Sequence, residues 1–378
     1  MEDLVADQMD FQDTFRDVRV LVTGDTGFKG TWLCEWLQLL GADIVGIGLA
    51  PNTQPALFEQ LDLEKRIDHR EVDIRDVSAV RHLISNVQPD IILHLAAQPL
   101  VRLSYEIPIE TYTTNVMGTV HILDAVRQLN KKCAVVCVTT DKCYENREWL
   151  HSYREEDSMG GHDPYSSSKG ACEIAIQSFR KSYFDDPEAC GVAVSSVRAG
   201  NVIGGGDWAL DRIIPDCVRA LQNGESIPVR NKVATRPWQH VLEPLGGYLL
   251  LAAELWRGLN GQSPLYANFP YTQLCGAFNF GPELASNRSV STLVQEALKS
   301  WEGNWIDQSD PNALHEASLL NLSTDKAHHM LGWSPQWSFE VTIQKTMQWY
   351  LAAESKEFDA QSFTQEQIRA YCSCSTTN

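Results

Sequence analysis

The eight residues TGDTGFKG, Thr23–Gly30, constrain this chain more than any other stretch. They complete an aliphatic run, RVLVT (Arg19–Thr23), and lead straight into Trp32, Leu33, Trp36, Leu37 and Leu40, which share one helical face. Strand, glycine turn and helix in that order open a βαβ unit built to hold a dinucleotide. The glycines at 24, 27 and 30 have separate tasks. Gly24 permits the tight turn, Gly27 lets backbone approach a pyrophosphate, and Gly30 lets helix and strand pack closely. The helix N-terminus then points free N–H groups at the phosphates.

The strand-helix rhythm continues downstream. Ile44–Ile47, Arg70–Asp73, Ile91–Leu95, Ala134–Val138 and Val192–Val197 read as strands, and Val77, Val80, Leu83, Ile84 and Val87 mark a helix face. Continuous apolar strands separated by helices predict a parallel sheet covered on both faces. The expected fold class is therefore α/β, a Rossmann-type doubly wound parallel sheet with ligands at the carboxyl ends of its strands. From about Arg198 the rhythm breaks. Turn-rich pieces (Gly204–Asp207, Asn260–Pro264, Asn268–Tyr271) separate helices at Pro244–Leu255 and Val290–Ser300. These predict a smaller, mixed α/β C-terminal substrate domain wrapped against the first. The expected division is an acidic extension (1–17), an NAD-binding domain (18–197), a substrate domain (198–350) with some segments returning to the first, and a C-terminal helix with a polar tail (351–378).

Charge narrows the function classes. Lysine and arginine number 31 against 49 aspartates and glutamates, a net −18. That balance argues against a nucleic-acid or anionic-membrane binder. The longest apolar stretch, Tyr248–Ala253, falls far short of the ~18 residues of a membrane span. Met1–Asp17 carries six acids and one arginine, the opposite of a secretory or mitochondrial leader, and reads as an extension to a soluble protein. Ten cysteines without a C-x-x-C pair suit a reducing, cytoplasmic setting, and no metal site is expected.

Gly46–Pro51, GIGLAP, lacks both the acid that would hold an adenosine ribose and an arginine for a 2′-phosphate, which favours NAD over NADP. Asp25 sets a carboxylate in the phosphate turn, repulsive unless Lys29 compensates. NAD is therefore expected to be held loosely. The candidate cofactor contacts are Gly24, Asp25, Thr26, Gly27, Phe28, Lys29 and Gly30 in the turn. Asp73 and Ile74 follow the third strand, Leu95, Ala96 and Ala97 the fourth, and Tyr165 and Lys169 complete the set. His94, between IIL and LAA, reads as a satisfied strand histidine.

Two motifs carry the chemistry. DPYSSSKG places Tyr165 and Lys169 four apart on one helical face, where the lysine and a cationic nicotinamide would favour phenolate. At the end of the Ala134–Val138 strand stands TTDKCYEN. There Thr140 is suited to a substrate hydroxyl, Asp141 to general acid and, if its pKa is depressed, Lys142 to general base.

Taken in order, TGDTGFKG, HLAAQP, TTDKCYEN, DPYSSSKG, RAGNVIGGGDW and RPWQHV make the chain similar to the extended short-chain dehydrogenase/reductase family. The likeness runs from about Val18 to Tyr350. The aspartate–lysine pair after threonine resembles the 4,6-dehydratases that act on CDP-glucose; dTDP-glucose dehydratases carry aspartate–glutamate there and 4-epimerases lack the pair. Asp25 departs from the histidine of that group. The resemblance implies NAD as recycled cofactor, with Tyr165 taking the O4 proton, Asp141 protonating the departing O6 and Lys142 removing the C5 proton. It implies substrate contacts from Gln98, Asn201, Gly206, Asp207, Arg212, Arg230 and Arg236, the last in the motif that meets the diphosphate. It also implies a homodimer paired through helices around Asn115–Leu129 and Ala171–Ser182. Other outcomes on the same scaffold are a dTDP- or GDP-sugar dehydratase, a UDP-sugar 4-epimerase, and a non-catalytic NAD-binding regulator.

Overall fold

In the computed structural model, the aliphatic runs of the first half become parallel strands: β1 Arg19–Thr23, β2 Asp43–Gly48, β4 Ile91–His94, β5 Cys133–Val138 and β6 Val192–Ala199. Between β2 and β4 lies β3, Asp68–Glu71, two residues earlier than its expected start. Its sequence, DHRE, has no apolar run to mark it, because β3 is the edge of the sheet and its side chains are half-buried or exposed. A seventh strand, β7 Ala277–Phe280, arrives from the second half and pairs parallel with β6. The strand order is β7-β6-β5-β4-β1-β2-β3. The order reverses between β1 and β4, which opens the crevice where such sheets bind ligands. The structure describes residues 11–266, 269–309 and 319–374. Residues 1–10 of the expected extension, Asn268 of an expected turn and residues 375–378 of the expected tail lie outside the described residues.

Alternation along the strands splits the core in two. Val20, Val22, Ile91, Leu93, Ala134 and Val136 face one side, where they join Trp32, Leu33 and Leu37 of α1 (Phe28–Leu39). Leu21, Ile92, Val135 and Cys137 face the other, against α2 (Val77–Val87), α3 (Gly118–Val126) and α4 (Pro164–Tyr183). A period of two with both faces covered is what a buried parallel sheet requires. Beyond β6 come α5 (Ile213–Gln222), α6 (Leu242–Leu259), α7 (Phe339–Ala352) and α8 (Ala360–Cys374). Leu245, Tyr248, Leu249 and Leu255 of α6 sit in the same core as α1.

The chain ends are more structured than their polarity suggests. Phe11 and Phe15 are buried, with the Phe11 ring 6.3 Å from Trp36. The eight residues YCSCSTTN, Tyr371–Asn378, read as a polar tail, but helix α8 runs on through them as far as Cys374. Its Tyr371 is fully buried, meets Trp36 edge-on at 5.8 Å and donates to Glu243 at 2.7 Å. Ile368 and Tyr371, three apart, give α8 a buried stripe that eight mostly polar letters conceal. Glu243 also accepts the backbone N–H groups of Gln336 and Trp337, and burial pushes its carboxyl up to about 7. Thus α8 braces the back of α1, whose front carries the phosphate turn.

Candidate active site

α1 starts at Phe28 with Gly27 as its N-cap and no side chain capping it, so its first N–H groups stay available. Gly24 has φ +77°, and a Cβ there would come within 2.9 Å of the Ala96 backbone. A Cβ on Gly30 would run into the Gly24 carbonyl, whereas one on Gly27 would meet only that carbonyl, at 3.4 Å. The glycine cradle, its uncapped helix and the β1–β4 crevice together fit a dinucleotide pyrophosphate. Thr23 Oγ1 accepts the N–H groups of Leu95 and Ala96 at 3.1 and 3.0 Å, pinning the β4 exit beside the turn. His94 hydrogen-bonds Thr23 and Thr119, and burial lowers its pKa to about 3; it is a neutral strut, as its setting in the strand suggested.

Asp25 and Lys29 do not compensate each other. The Asp25 carboxylate is fully buried and lies under β2, 2.6 Å from His69 Nδ1 on β3. Gly46 and Gly48 make the room: a Cβ on Gly48 would approach Asp25 Oδ1 to 2.7 Å. Burial raises the Asp25 pKa and His69 lowers it. Lys29 turns the other way, into the cleft. Burial, Arg212 and Lys169 bring its ammonium down to about 8, against the pull of Asp141.

α4 begins where DPY predicts. Asp163 caps it by accepting from Ser166 N at 2.9 Å, with Pro164 in the first turn. Tyr165, Lys169 and Glu173 then stack along its buried face. Burial raises the Tyr165 pKa, while Thr140 and Arg212 pull it down. Lys169 Nζ donates to the Val138 carbonyl at 3.3 Å, and burial lowers its pKa. At the end of β5, Thr140 Oγ1 donates to Asp141 Oδ1 at 2.9 Å and accepts the Lys142 backbone N–H at 3.3 Å. Desolvation raises the Asp141 pKa; Lys142, Thr140, Arg236 and Lys29 oppose it. Thr140, Asp141, Tyr165, Lys169, Lys29, Arg212 and Arg236 therefore act on one another within one cleft.

The other candidates divide. Asp207 pairs with Arg212 at 2.7 Å beside the buried turn at Gly206. Arg230 stands apart, ion-paired with Asp211 and Asp216 and nearly half exposed. Gln98 is engaged by Leu100, Thr111 and Asn115, Asn201 is half-buried, and Asp73 pairs with Arg75. Trp238 is core, its indole N–H on the Arg288 carbonyl; Trp208 is partly buried and donates to Gln60. Glu173 was missed in the sequence, although it continues the Tyr165–Lys169 spacing by four more residues. It accepts from Thr139, Ser196 and Arg198 directly beneath the cleft.

Comparison with known proteins agrees with this geometry. The family model described as GDP-mannose 4,6 dehydratase matches residues 21–256. The CDP-glucose 4,6-dehydratase of Salmonella typhimurium is 46% identical over 338 residues, covering 88% of this chain and 90% of its own. A probable dTDP-glucose 4,6-dehydratase of Sinorhizobium fredii is 24% identical, over 88% of this chain and 93% of its own. Among solved structures, UDP-glucose 4-epimerase of Thermotoga maritima shares the fold with a TM-score of 0.73 at 19% identity, covering 89% of this chain and all of that one. The dTDP-glucose 4,6-dehydratase of Bacillus anthracis, solved with NAD, gives 0.71 at 20% identity, over 89% of this chain and 97% of that one. With most of its length matched by such relatives and its phosphate turn and TTDK and YSSSK segments gathered in one cleft, the chain belongs to the nucleotide-sugar 4,6-dehydratase family.

Proposed function

We propose that this chain converts CDP-glucose to CDP-4-keto-6-deoxyglucose and water, with NAD as its recycled cofactor. The observation that carries the reading is the 46% identity, along nearly the whole chain, to an enzyme named for that reaction. The glycine cradle supports the cofactor: Gly24, Thr26, Gly27, Phe28 and Gly30 would hold its pyrophosphate. When bound there, NAD would supply a hydride acceptor for the oxidation at C4 and, reduced, the hydride donor for C6.

The chain's own groups move the protons. Tyr165 takes the O4 proton, with Thr140 and Arg212 offsetting the burial that disfavours its phenolate. Once C4 is a ketone, the adjacent C5 proton is acidic, and Lys142 is the base assigned to it. Asp141, whose burial favours the neutral acid, protonates O6 as it leaves. Arg212 and Arg236 supply the cations that a diphosphate needs on so acidic a protein.

The same reading takes the protein as a cytoplasmic homodimer. Support for pairing comes from the helices around residues 115–129 and 171–182, where Met117 and Ile174 are exposed at 45% and 60%. Among the described residues no helix is long and apolar enough to cross a membrane.

The test is to incubate purified protein with CDP-glucose, dTDP-glucose, UDP-glucose and GDP-mannose, each with and without NAD. The alkaline ultraviolet absorbance of the keto sugar, with mass loss of one water, should appear with CDP-glucose. Dehydration of dTDP-glucose or GDP-mannose instead would move the assignment to that sugar.

A further inference from the structure

The strand order puts β5 between β4 and β6. Chain leaving β4 and chain leaving β6 therefore flank the end of β5, where Thr140, Asp141 and Lys142 stand. An ion pair joins the two flanks. Arg102 lies on the short helix Val101–Glu106 that follows β4, and its Nη1 is 3.3 Å from Asp211 Oδ1. Asp211 belongs to the segment that runs from β6 to α5. The same oxygen accepts from Arg230 Nη1, so one carboxylate oxygen holds a guanidinium from each half of the chain. Asp211 has φ +63°, a left-handed conformation that aspartate tolerates better than most side chains and glycine better still. Glycine would ease the backbone there but forfeit the carboxylate.

We propose that Asp211 is a positioning residue that ties the far end of the β6–α5 segment across the mouth of the cleft. The tie keeps the next residue, Arg212, placed for the diphosphate of a nucleotide sugar, a ligand that rests on the dehydratase reading above. Other groups fix the near end of the segment. Trp32 donates to the Gly205 carbonyl at 3.0 Å, Tyr350 to the Asp207 carbonyl at 2.6 Å, and Trp208 to Gln60 at 3.1 Å. Arg219 donates to the Trp208 and Ala209 carbonyls at 3.2 and 3.3 Å. Beyond Ala209, charged pairs hold the segment: Asp207 with Arg212 at 2.7 Å, and Asp211 with Arg102 and Arg230. The helix that carries Arg102 is seated independently, since Ser104 Oγ accepts the Tyr165 backbone N–H at 3.2 Å. Losing the tie therefore leaves Tyr165 in place and loosens the flank that carries Arg212. Both arginines are 46% exposed and Asp211 43%, so each pair is weak and screened by salt.

Calorimetric titration with CDP, beside initial rates on CDP-glucose, tests the tie. Asp211→Asn should weaken CDP binding by about 3–10-fold and Arg102→Gln by about 2–5-fold. KM should rise to match, and kcat should fall by less than KM rises. The double variant should bind CDP no more weakly than Asp211→Asn alone, because Arg102 acts through that carboxylate. Arg102→Lys, which keeps the charge, should recover most of the affinity lost in Arg102→Gln. Hydrogen exchange in peptides covering 101–106 and 208–212 should quicken in both single variants. Tighter CDP binding in Asp211→Asn would overturn the tie, by showing that the carboxylate competes with phosphate for the arginines. Additive losses in the double variant, a fall in kcat as large as the rise in KM, or unchanged exchange would overturn it too. Failure of the functional reading would look different: wild-type protein would bind no CDP and form no keto sugar, while the exchange comparison would still report on the tie.

Discussion

Asp141→Asn should lower kcat on CDP-glucose by about 10²–10⁴-fold, the usual weight of a positioned general acid. The expectation follows from the setting of the carboxyl. It is 3% exposed, and desolvation raises its pKa against three cations and the Thr140 hydroxyl. Such a setting favours the neutral acid, which has a proton to give, whereas asparagine has none to give although it fills the same space. KM should change little, because the role proposed for Asp141 is on the departing oxygen rather than on the nucleotide. The melting temperature should hold or rise, since a buried carboxyl that is costly to ionise has been replaced by a neutral amide. A 4-epimerase has no need of an acid at O6. A loss of less than about tenfold in Asp141→Asn would therefore remove the assigned role.

The second large effect lies one layer below the cleft. Arg198→Met should destabilise the fold by about 3–5 kcal/mol in urea denaturation, because it strands a buried carboxylate. Arg198 and Glu173 pair at 2.8 Å with 4% of each side chain exposed. Arg198 also donates to the Tyr144 hydroxyl at 2.6 Å and to the Glu155 carbonyl at 3.0 Å. Glu173 further accepts from Thr139 at 2.5 Å and Ser196 at 2.8 Å, so the network joins β5, β6 and α4 under Thr140. Burial alone would push Glu173 up, but Arg198 and these hydroxyls hold it below its ordinary value. A depressed folded-state pKa means that this stability is fully present above the unfolded value of about 4.3 and is lost as pH falls through the folded one. The double variant Glu173→Gln, Arg198→Met should recover part of the loss, because neither charge then remains unpaired, and it should be less acid-sensitive than wild type. An unchanged urea midpoint in Arg198→Met would show that the pair contributes little.

The legible parts of the sequence were those whose physics is local. The glycine turn, the aliphatic strands and the Asp163-capped helix carrying Tyr165 and Lys169 depend on spacing within one or two elements. Asp25 and Lys29 were harder. Both sit in the phosphate turn, and their directions depend on neighbours far away in sequence: Gly46, Gly48 and His69 receive Asp25, while Arg212 and Asp141 surround Lys29. No spacing rule distinguishes these outcomes. β7 was missed because a four-residue strand in an irregular half gains its identity only by pairing with β6. Tyr371 was assigned to a polar tail because one tyrosine among serines and threonines gives no periodicity, although it is a fully buried contact of α1. Glu173 did leave a signal, four residues after Lys169 on the same face, and a third position in that stripe was there to be read.

In the proposed reaction the hydrogen taken from C4 returns to C6. CDP-glucose carrying deuterium at C4, turned over with NAD in ordinary water, tests it by mass spectrometry and proton NMR of the product. Hydride return within the site should give a 4-keto-6-deoxy sugar with the deuterium in the C6 methyl group. Deuterium retained at C4 of an inverted sugar would instead show an epimerase, and a C6 methyl without label would show that the hydride is not returned within the site.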